Sequence, residues 1–543
     1  MRRLVWLVAL ILVLFLTGCT TPEAGEYGSL RWSLDRWGTL TIEGEGAIPA
    51  YPFESDEKPP WYHALGQASR LVIGEGITEI GKNAFSAAPQ LKRVELPNSL
   101  TRIEKLAFFC CLKLENIALP NSITYLGSQA FSQCDALTEF RVPAGVTEVT
   151  ADIISMNDNV RKLYLPAGLK WIESGFGDCP ALEEIIVDEA NPNLMSRDGV
   201  VFSADGTTLC AYPAGKQDTV YVVPEGVTTI GKSAFEYAKF LTEVILPQEL
   251  VTISDIAFAD CKKLTTVHLS QTLETIGKYA FSSCYALAKI DLPKGVRSIG
   301  KSAFAWCEKL EKIALPAQMT EIPDHLFINC RSLSSITYPD GIMSIGVTAF
   351  FGCDSLTTVY IPSTVKMIDS TSFGDCAKLT AFVVDEANTE YTAKDGVLFT
   401  ADGKTLVCYP TGRTALSYHV PEGVTHIAPY AFYIIRELET LTMADTVQIL
   451  GEYSLYACPR LGDVTVSAQV TELPECSLVC TNLNTLTLPV GLLCVGEDAF
   501  YGVEFIGQIY FTGTEAQWNA IEIADGNDVL SRTEIVFGST KSE

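Results

Sequence analysis

The stretch LTTVHLSQTLETIGKYAFSSC, residues 264–284, decides the fold of this chain. Val267 and Leu269 flank His268 with the period-two alternation of a short strand that buries one face. The pattern returns about every 23 residues, and a fixed period of this length is the signature of a solenoid. Each coil has a phase position that is usually phenylalanine, and sixteen are found: Phe85, Phe108, Phe131, Ile154, Phe176, Phe235, Phe258, Phe281, Phe304, Phe327, Phe350, Phe373, Phe432, Leu455, Leu478 and Phe500.

A single coil of this length cannot bury its own apolar side chains, but a stack of coils buries them in one continuous core. Gly277 is expected to turn the chain, and Ala280–Cys284 is expected to form a short helical or 3₁₀ turn. The sequence therefore predicts a β-rich solenoid of about 16 coils of 23 residues, with stacked short parallel strands, short helical or 3₁₀ turns, and a cap at each end.

Two steps between phase positions are 59 residues long, from Phe176 to Phe235 and from Phe373 to Phe432. Each contains 36 extra residues, and the two insertions match at an offset of 197 residues. In both, Ala-Asp-Gly lies between β-rich runs, which predicts a hairpin. Four aspartates beside glycine are interpreted as turn formers and not as cation ligands: Asp198, Asp205, Asp395 and Asp402.

These patterns predict eight segments along the chain. They are a lipoprotein signal peptide (1–18), a lipidated N-terminus with a β cap module (19–70), repeat block one (71–186), a hairpin insertion (187–222), repeat block two (223–383), a second hairpin insertion (384–419), repeat block three (420–505) and a C-terminal cap (506–543).

The N-terminus has the pattern of an export signal, with Arg2 and Arg3 before the apolar run Leu4–Leu16. The run is short for a bilayer span, which takes about 20 apolar residues. Leu-Thr-Gly before Cys19 resembles the lipobox of bacterial lipoproteins, which implies cleavage before Cys19 and lipid attachment there. An uncleaved anchor and an ordinary signal peptide are the alternatives. Lipid attachment predicts an extracytoplasmic protein that is anchored to the membrane at the cell surface.

The motif Ile-Gly-x-x-Ala-Phe-x-x-Cys, followed by Leu-x-x-Val-x-Leu-Pro, resembles the BspA-like, or treponemal-type, leucine-rich repeat family over about residues 71–501. Residues 30–46 and 60–61 resemble its N-terminal β module, and residues 509–518 resemble its C-terminal cap, where Thr514 and Gln517 have capping-box spacing. The coil of Ile154 lacks the Ala, Phe and Cys of the motif, so local irregularity is expected there. The resemblance implies a bacterial surface protein used in adhesion and protein–protein interaction.

The motifs of the chain predict no enzyme, cofactor or metal. Gly226–Ser233 and Gly295–Ser302 match the phosphate-loop pattern, but both fall on the repeat phase, and a phosphate loop must open a long helix. The five histidines are scattered, and no known catalytic His, Ser or Cys motif is found. A net charge of −26 disfavours nucleic acid and anionic lipid surfaces as partners.

Cysteine recurs in the repeat. Ten of the 17 cysteines fall three residues after a phase position: Cys111, Cys134, Cys179, Cys261, Cys284, Cys307, Cys330, Cys353, Cys376 and Cys458. Single cysteines in successive coils do not offer the paired ligands of a zinc site. We interpret this cysteine ladder as reduced core thiols, with disulfides between coils as the alternative. The states of Cys110, Cys476 and Cys480 stay open.

Exposed strand positions line the binding face of solenoids of this type, so we expect a partner to bind there. The candidate contact residues are Arg141, Tyr164, His268, Asp291 and Tyr360. The predicted function is adhesion or interaction with an extracellular or cell-surface protein, of host or bacterial origin. The alternative is a glycan-binding or envelope-scaffolding lipoprotein that uses three tryptophans, which are otherwise interpreted as cap core: Trp32, Trp37 and Trp61.

Overall fold

The computed structural model describes residues 22–51, 58–173, 176–479 and 483–539. The predicted signal peptide, Cys19 and Cys480 lie outside these residues. The chain divides into two units, Met1–Gln217 with Gly231–Phe240, and Asp218–Ile230 with Leu241–Glu543. Each unit is a β-solenoid, and the fold has about 20 stacked turns with almost no helix, so the predicted solenoid is confirmed and the predicted count of 16 coils is slightly low.

A regular coil contributes two short strands, which stack in parallel with the matching strands of neighbouring coils. The coil that starts at Leu264 has the strands Thr266–His268 and Thr275–Ile276. We call the strands that stack at the position of Thr266–His268 first-row strands and those that stack at the position of Thr275–Ile276 second-row strands; most second-row strands have two residues. The second row is not predicted from the sequence, because two residues are too few to show a period-two alternation.

The first unit begins with an antiparallel module of Glu23–Tyr27, Leu30–Leu34 and Thr39–Glu43, and the last of these pairs in parallel with Arg70–Ile73. The other first-row strands of this unit are Arg93–Glu95, Asn116–Ile117, Glu139–Arg141, Lys162–Leu165 and Glu184–Val187. Its second-row strands are Gly46–Ile48, Ile77–Ile80, Arg102–Ile103, Tyr125–Leu126, Glu148–Val149 and Trp171–Ile172.

In the second unit the first-row strands are Val220–Val222, Glu243–Ile245, Thr266–His268, Lys312–Ala314, Ser335–Thr337, Thr358–Ile361, Ala381–Val384, Ser417–Val420, Thr440–Met443, Asp463–Thr465, Leu483–Leu488, Ile506–Phe511 and Ile535–Phe537. Its second-row strands are Thr229–Ile230, Thr252–Ile253, Thr275–Ile276, Ser298–Ile299, Glu321–Ile322, Ser344–Ile345, Met367–Ile368, His426–Ile427, Ile449–Leu450, Glu472–Leu473, Cys494–Val495 and Glu522–Ile523.

Helical structure among the described residues is limited to four short segments. The α-helices are Tyr62–Leu65 and Glu515–Trp518, and the 3₁₀ helices are Ala151–Ile154 and Leu530–Arg532. The Glu515–Trp518 helix carries the capping box that the sequence predicts: the Thr514 hydroxyl accepts from the backbone N–H of Gln517, and the Gln517 side chain accepts from that of Thr514. The 3₁₀ helix Ala151–Ile154 lies in the coil of Ile154, where the sequence predicts local irregularity.

Each insertion contains three antiparallel strands rather than a two-stranded hairpin. They are Leu194–Arg197, Val200–Ser203 and Thr208–Ala211 in the first unit, and Tyr391–Lys394, Val397–Thr400 and Thr405–Cys408 in the second. Asp198 and Asp395 take left-handed conformations in the first turn of each insertion. In the second turn, Asp205 accepts hydrogen bonds from Ser203 and Thr207, and Asp402 accepts them from Thr400 and Lys404. These aspartates therefore build the turns.

The insertions also contain coils that the phenylalanine count misses. Tyr212 and Tyr409 each lie 23 residues before a phase position, at Phe235 and Phe432. Their rings stack on those phenylalanines, with centroids 5.0 and 5.2 Å apart. Each insertion thus adds one coil whose phase residue is tyrosine, which accounts for part of the difference between 16 and about 20 turns.

Phenylalanine stacking forms the core of each unit. In the second unit six rings stack in series, with centroids 5.1–5.9 Å apart: Phe258, Phe281, Phe304, Phe327, Phe350 and Phe373. In the first unit Trp61 caps the series Phe85, Phe108 and Phe131. The spacing is close to the 4.7–4.9 Å between neighbouring strands, so the backbone ladder and the ring stack reinforce each other.

The glycine of the Ile-Gly pair is required by close packing between coils. A Cβ atom on Gly277 would lie 2.4 Å from the backbone nitrogen of Asp255 in the preceding coil, and one on Gly300 would lie 2.4 Å from that of Lys278. Real Cβ atoms do not approach this closely, so any other residue would push the coils apart.

In the regular coils of the described residues the segment around the phase position is a series of tight turns, whereas the coil of Ile154 has a 3₁₀ segment. In a typical coil of the second unit, Ile256 and Asp260 are left-handed, with φ of 63° and 57°. The backbone N–H groups of Ile256, Phe258 and Asp260 donate to carbonyls of the next coil, at 2.7–2.8 Å. The turns therefore form a hydrogen-bonded ladder between coils, and this ladder offsets the cost of the left-handed residues.

We expect Ile256→Asn to stabilise the fold. A left-handed conformation costs an ordinary residue roughly 1–2 kcal/mol, asparagine tolerates it better, and the Ile256 side chain is only half-buried. The free energy of unfolding should rise by about 1 kcal/mol in urea titration. Val251→Asn is the control, since Val251 is exposed and is not left-handed. If Ile256→Asn is less stable than Val251→Asn, the left-handed conformation of Ile256 does not strain the fold, and the prediction is wrong.

Candidate functional site

The first-row strands of each unit expose side chains on one face, and the first unit pairs two of the predicted contact residues. Arg141 and Tyr164 are register partners on neighbouring strands. The Arg141 guanidinium carbon lies 3.4 Å from the centroid of the Tyr164 ring, and Glu139 is 3.7 Å from the Arg141 side chain. Lys162 forms an ion pair with Glu184 at 2.8 Å. Opposite charges thus alternate around one aromatic ring.

In the second unit the remaining predicted residues each contact an acidic or basic neighbour. The His268 Nε2 atom lies 2.8 Å from Glu243, and Lys289 lies 2.7 Å from Asp291. The Tyr360 hydroxyl donates to Asp385 at 2.6 Å. This hydrogen bond raises the pKa of Tyr360 and lowers the pKa of Asp385. These contacts fix accessible polar side chains; His268 and Tyr360 lie on first-row strands, whereas Asp291 follows an isolated bridge at Lys289 and lies outside the strands.

The structure does not gather the predicted residues into one pocket. Arg141 and Tyr164 are in contact, whereas His268 and Tyr360 are four coils apart, which corresponds to roughly 19 Å at the usual strand spacing. Tyr360 is 46 % exposed, and its register partner Val383 is 48 % exposed. Such an arrangement suits contact with an extended protein surface, not enclosure of a small molecule.

A second aromatic surface in the second unit is not predicted from the sequence. We call Tyr430, Tyr433, Tyr453 and Tyr456 the tyrosine cluster; the rings of Tyr430 and Tyr453 are parallel, with centroids 5.0 Å apart. Hydrogen bonding to Cys476 is the main cause that raises the pKa of Tyr453 to about 12. The repeats of tyrosine at 23-residue spacing, 430 to 453 and 433 to 456, are the signal that could have revealed it.

Near this cluster in sequence, second-row strands line a groove of about 630 Å³. Its walls include His426, Ile449, Glu452 and Glu472. Among the described residues no three His, Cys, Asp or Glu side chains are grouped so that they could hold a metal ion. The groove therefore has mainly apolar walls with a few charged side chains, and in the part of the chain that the structure describes it lacks the donor set of a metal centre.

The tryptophans of the N-terminal module do not form a shared exposed platform. Trp61 is fully buried in the ring stack, and Trp32 is buried with its indole against Gly25. Trp37 is exposed. The glycan alternative that relied on all three side chains thus retains one accessible tryptophan.

The phosphate-loop match of Gly295–Ser302 is part of a regular coil. Ser298–Ile299 is a second-row strand with Ile299 buried, and Ser302 is buried in a left-handed conformation. The segment continues into tight turns, so it lacks the helix N-terminus that binds phosphate.

The cysteine ladder consists of free, buried thiols that donate hydrogen bonds between coils. In the nine ladder cysteines other than Cys261, Sγ contacts the backbone carbonyl of the phase residue in the preceding coil, at 3.1 Å for Cys284, 3.2 Å for Cys307 and 3.0 Å for Cys458. In the irregular coil of Ile154, Asn157 takes this position, and its amide donates to the Phe131 carbonyl at 2.8 Å. Most coils therefore place a hydrogen-bond donor at this position, whereas Ala88, Ala238, Ile435 and Val503 fill it without one.

Thiol labelling of the native protein should separate the cysteine ladder from the half-exposed cysteines. Burial raises the pKa of Cys179 and Cys458 to about 12, so at pH 8 these thiols stay protonated and unreactive. Iodoacetamide should label the half-exposed Cys110, Cys476 and Cys494 first, and the ladder only after denaturation. Cys210 is also half-exposed, but burial raises its pKa to about 11, so it should react more slowly. Mapping by mass spectrometry checks this, and rapid native labelling of Cys458 would contradict the packing.

These features define the class of the protein: a leucine-rich repeat solenoid with an exposed parallel strand face, a type of fold that is typically a non-catalytic scaffold. The chain belongs to the BspA-type leucine-rich repeat family. The family described as BspA type leucine rich repeat region (6 copies) matches residues 62–183, 218–330, 297–394 and 412–520. The resemblance inferred from the repeat motif is thereby confirmed, and the chain is a bacterial leucine-rich repeat protein.

The chain is similar to solved structures of bacterial leucine-rich repeat proteins. A leucine-rich repeat protein from Eubacterium ventriosum ATCC 27560 is similar with a TM-score of 0.61 and 25% sequence identity, covering 70% of this chain and 100% of that one. A leucine rich cell surface protein from Faecalibacterium prausnitzii A2-165 has a TM-score of 0.49 and 27% identity, covering 61% of this chain and 98% of that one. No curated protein matches the chain. None of the helices in the described residues has the length and apolar character needed to cross a membrane.

Proposed function

We propose that this protein is a lipid-anchored cell-surface protein that binds an extracellular or cell-surface protein through its first-row strand face, in adhesion or protein–protein interaction. The observation that carries the proposal is the Arg141–Tyr164 pair, an aromatic ring and a guanidinium held 3.4 Å apart on rigid neighbouring strands. Tyrosine and arginine dominate the energetics of protein interfaces, and rigid presentation lowers the entropy that binding must overcome.

The family and the sequence support the other parts of the proposal. Leucine-rich repeat proteins generally bind proteins, and a solenoid offers a long surface for one partner. The export signal and the lipobox-like residues before Cys19 support anchoring outside the cytoplasm. His268, Asp291 and Tyr360 are the proposed contact residues of the second unit.

Alanine substitution on the strand face should weaken partner binding. For a partner captured by the purified chain, Tyr360→Ala and Tyr164→Ala should each raise Kd about tenfold or more, which is roughly 1.4 kcal/mol, because buried interface tyrosines are frequent hot spots. Tyr279→Ala is the control, since Tyr279 is 42 % exposed but lies in a turn. Binding by surface plasmon resonance that falls for Tyr279→Ala, but not for Tyr360→Ala and Tyr164→Ala, would overturn the proposed face.

A further inference from the structure

Trp37 has the largest exposed fraction, 74 %, among the exposed large hydrophobic side chains of the described residues. It lies at the tip of the hairpin between Leu30–Leu34 and Thr39–Glu43. The tip is well ordered by hydrogen bonds, because one carboxylate oxygen of Asp35 accepts from the backbone N–H groups of Trp37 and Thr39, both at 2.8 Å. The indole is thus held in solvent by a defined turn, which is unfavourable unless something else covers it.

Basic side chains lie along the same edge of the module. The Arg36 guanidinium lies 4.9 Å from the centroid of the Trp37 ring. The backbone N–H groups of Ser69 and Arg70 donate to the Gly38 carbonyl, so the strand that begins at Arg70 starts beside the tip, and Arg93 begins the next strand. Among the described residues Arg36 and Arg93 form no ion pair. Arg70 is ion-paired with Glu95, and the Asp35 carboxylate lies in the same turn as Arg36. Arg36 and Arg93 are therefore the cations that this edge leaves for another partner, in a chain whose net charge is −26.

The tip lies where the chain enters the module from the N-terminus. Glu23 is the register partner of Leu34, so the start of the first strand is beside the turn that carries Trp37. Three peptide steps separate Cys19 from Pro22, and an extended chain of that length spans at most about 11 Å. A lipid on Cys19 would therefore keep the hairpin tip within a short distance of the bilayer surface.

We propose that Trp37 and Arg36 form a bilayer-contact site, in which the indole inserts at the headgroup level of the leaflet that holds lipidated Cys19 and the guanidinium contacts lipid phosphate. This inference rests on the lipid anchoring proposed above. Tryptophan favours the membrane–water interface because its ring is amphipathic, and arginine matches phosphate with parallel hydrogen bonds. The contact adds a second attachment to the acyl chains and fixes how the N-terminal module faces the membrane.

The test uses the full chain purified as a membrane protein and reconstituted into vesicles of phosphatidylcholine and phosphatidylglycerol that carry brominated acyl chains, which quench nearby tryptophan. We compare wild type, Trp37→Phe and Trp171→Phe. Trp171 is the matched control because it is 45 % exposed and lies in the same unit, on a second-row strand. Vesicle flotation and the mass of the N-terminal peptide report lipidation of Cys19 in the same samples.

Part of the wild-type fluorescence should be quenched by the brominated lipid, and this quenching should be lost in Trp37→Phe and kept in Trp171→Phe. If the protein floats with lipidated Cys19 but quenching is equal in Trp37→Phe and wild type, the bilayer-contact site is overturned while the anchor stands. If Cys19 carries no lipid and the protein does not float, both the anchor and the contact site are overturned.

Discussion

Replacing Phe304 with alanine is expected to lower the free energy of unfolding by about 3–5 kcal/mol, the usual cost of removing a buried aromatic ring. Phe304 is fully buried, and its ring centroid lies 5.6 Å from that of Phe281 and 5.9 Å from that of Phe327. The substitution therefore opens a cavity in the middle of the six-ring stack. Urea titration of the purified chain, followed by intrinsic fluorescence, measures the loss.

Two further variants make this test specific. Phe304→Leu should cost less, about 1–2 kcal/mol, because leucine keeps most of the buried volume and stands naturally at phase position Leu455. Trp306→Ala should stay within about 0.5 kcal/mol of wild type, since Trp306 is 39 % exposed. Coils of a solenoid contact only their neighbours, so hydrogen exchange should accelerate most in the coils beside Phe304. A loss below about 1 kcal/mol for Phe304→Ala would contradict the stacked core.

Replacing Cys307 with alanine should cost about 2–3 kcal/mol. The change removes a fully buried sulfur, and it leaves the Phe281 carbonyl without the thiol donor that lies 3.2 Å away. An unsatisfied buried carbonyl costs about 1–3 kcal/mol, to which the loss of buried volume adds. Urea titration under reducing conditions measures the change.

The control for this prediction is Cys494→Ala. Cys494 is a half-exposed thiol in the same unit, outside the cysteine ladder, so the cost of removing it should be about 0.5 kcal/mol or less. Asn157 shows that an amide can take the ladder position, because it donates to both the Phe131 and the Ile154 carbonyls. A cost for Cys307→Ala of about 1 kcal/mol or less, as expected from the lost buried volume alone, would show that the interpretation of cysteine as a small hydrophobe is sufficient.

The 23-residue period predicts the solenoid because the phase residue of each coil, usually phenylalanine, has the same role of stacking in the core. Phe258, Phe281 and Phe304 recur at 23 residues since each must stack on the last. Tyr212 and Tyr409 perform the same role, but a search for phenylalanine passes over them and undercounts the coils. An alignment on the phase alone, without regard to residue type, would find both.

The turn conformation could not be predicted from residue preferences. Left-handed residues are usually glycine or asparagine, yet Ile256, Thr348 and Ile434 are left-handed here. The hydrogen bonds between successive coils impose this conformation, and they exist only after the coils have stacked. Local residue preference therefore predicts a helical turn, whereas the hydrogen bonds between coils impose tight turns with left-handed residues.

The sequence predicts which side chains of the candidate site are exposed on the strands, but it does not predict which of them contact each other. Period-two alternation places Tyr164 and Tyr360 on the exposed side of first-row strands. It does not show that Arg141 stacks on Tyr164, because that contact depends on the register between two coils. The tyrosine cluster was missed because its residues lie in turns, where the strand pattern gives no information.

Hydroxyl-radical footprinting of the chain with its captured protein partner tests the central claim most directly, since it reports which side chains the partner covers. Protection of Tyr164, His268 and Tyr360, with Tyr279 and Trp306 still reactive, is the predicted result. Protection confined to Tyr279, Trp306 or the tyrosine cluster, with Tyr164 and Tyr360 fully reactive, would contradict binding through the first-row strand face.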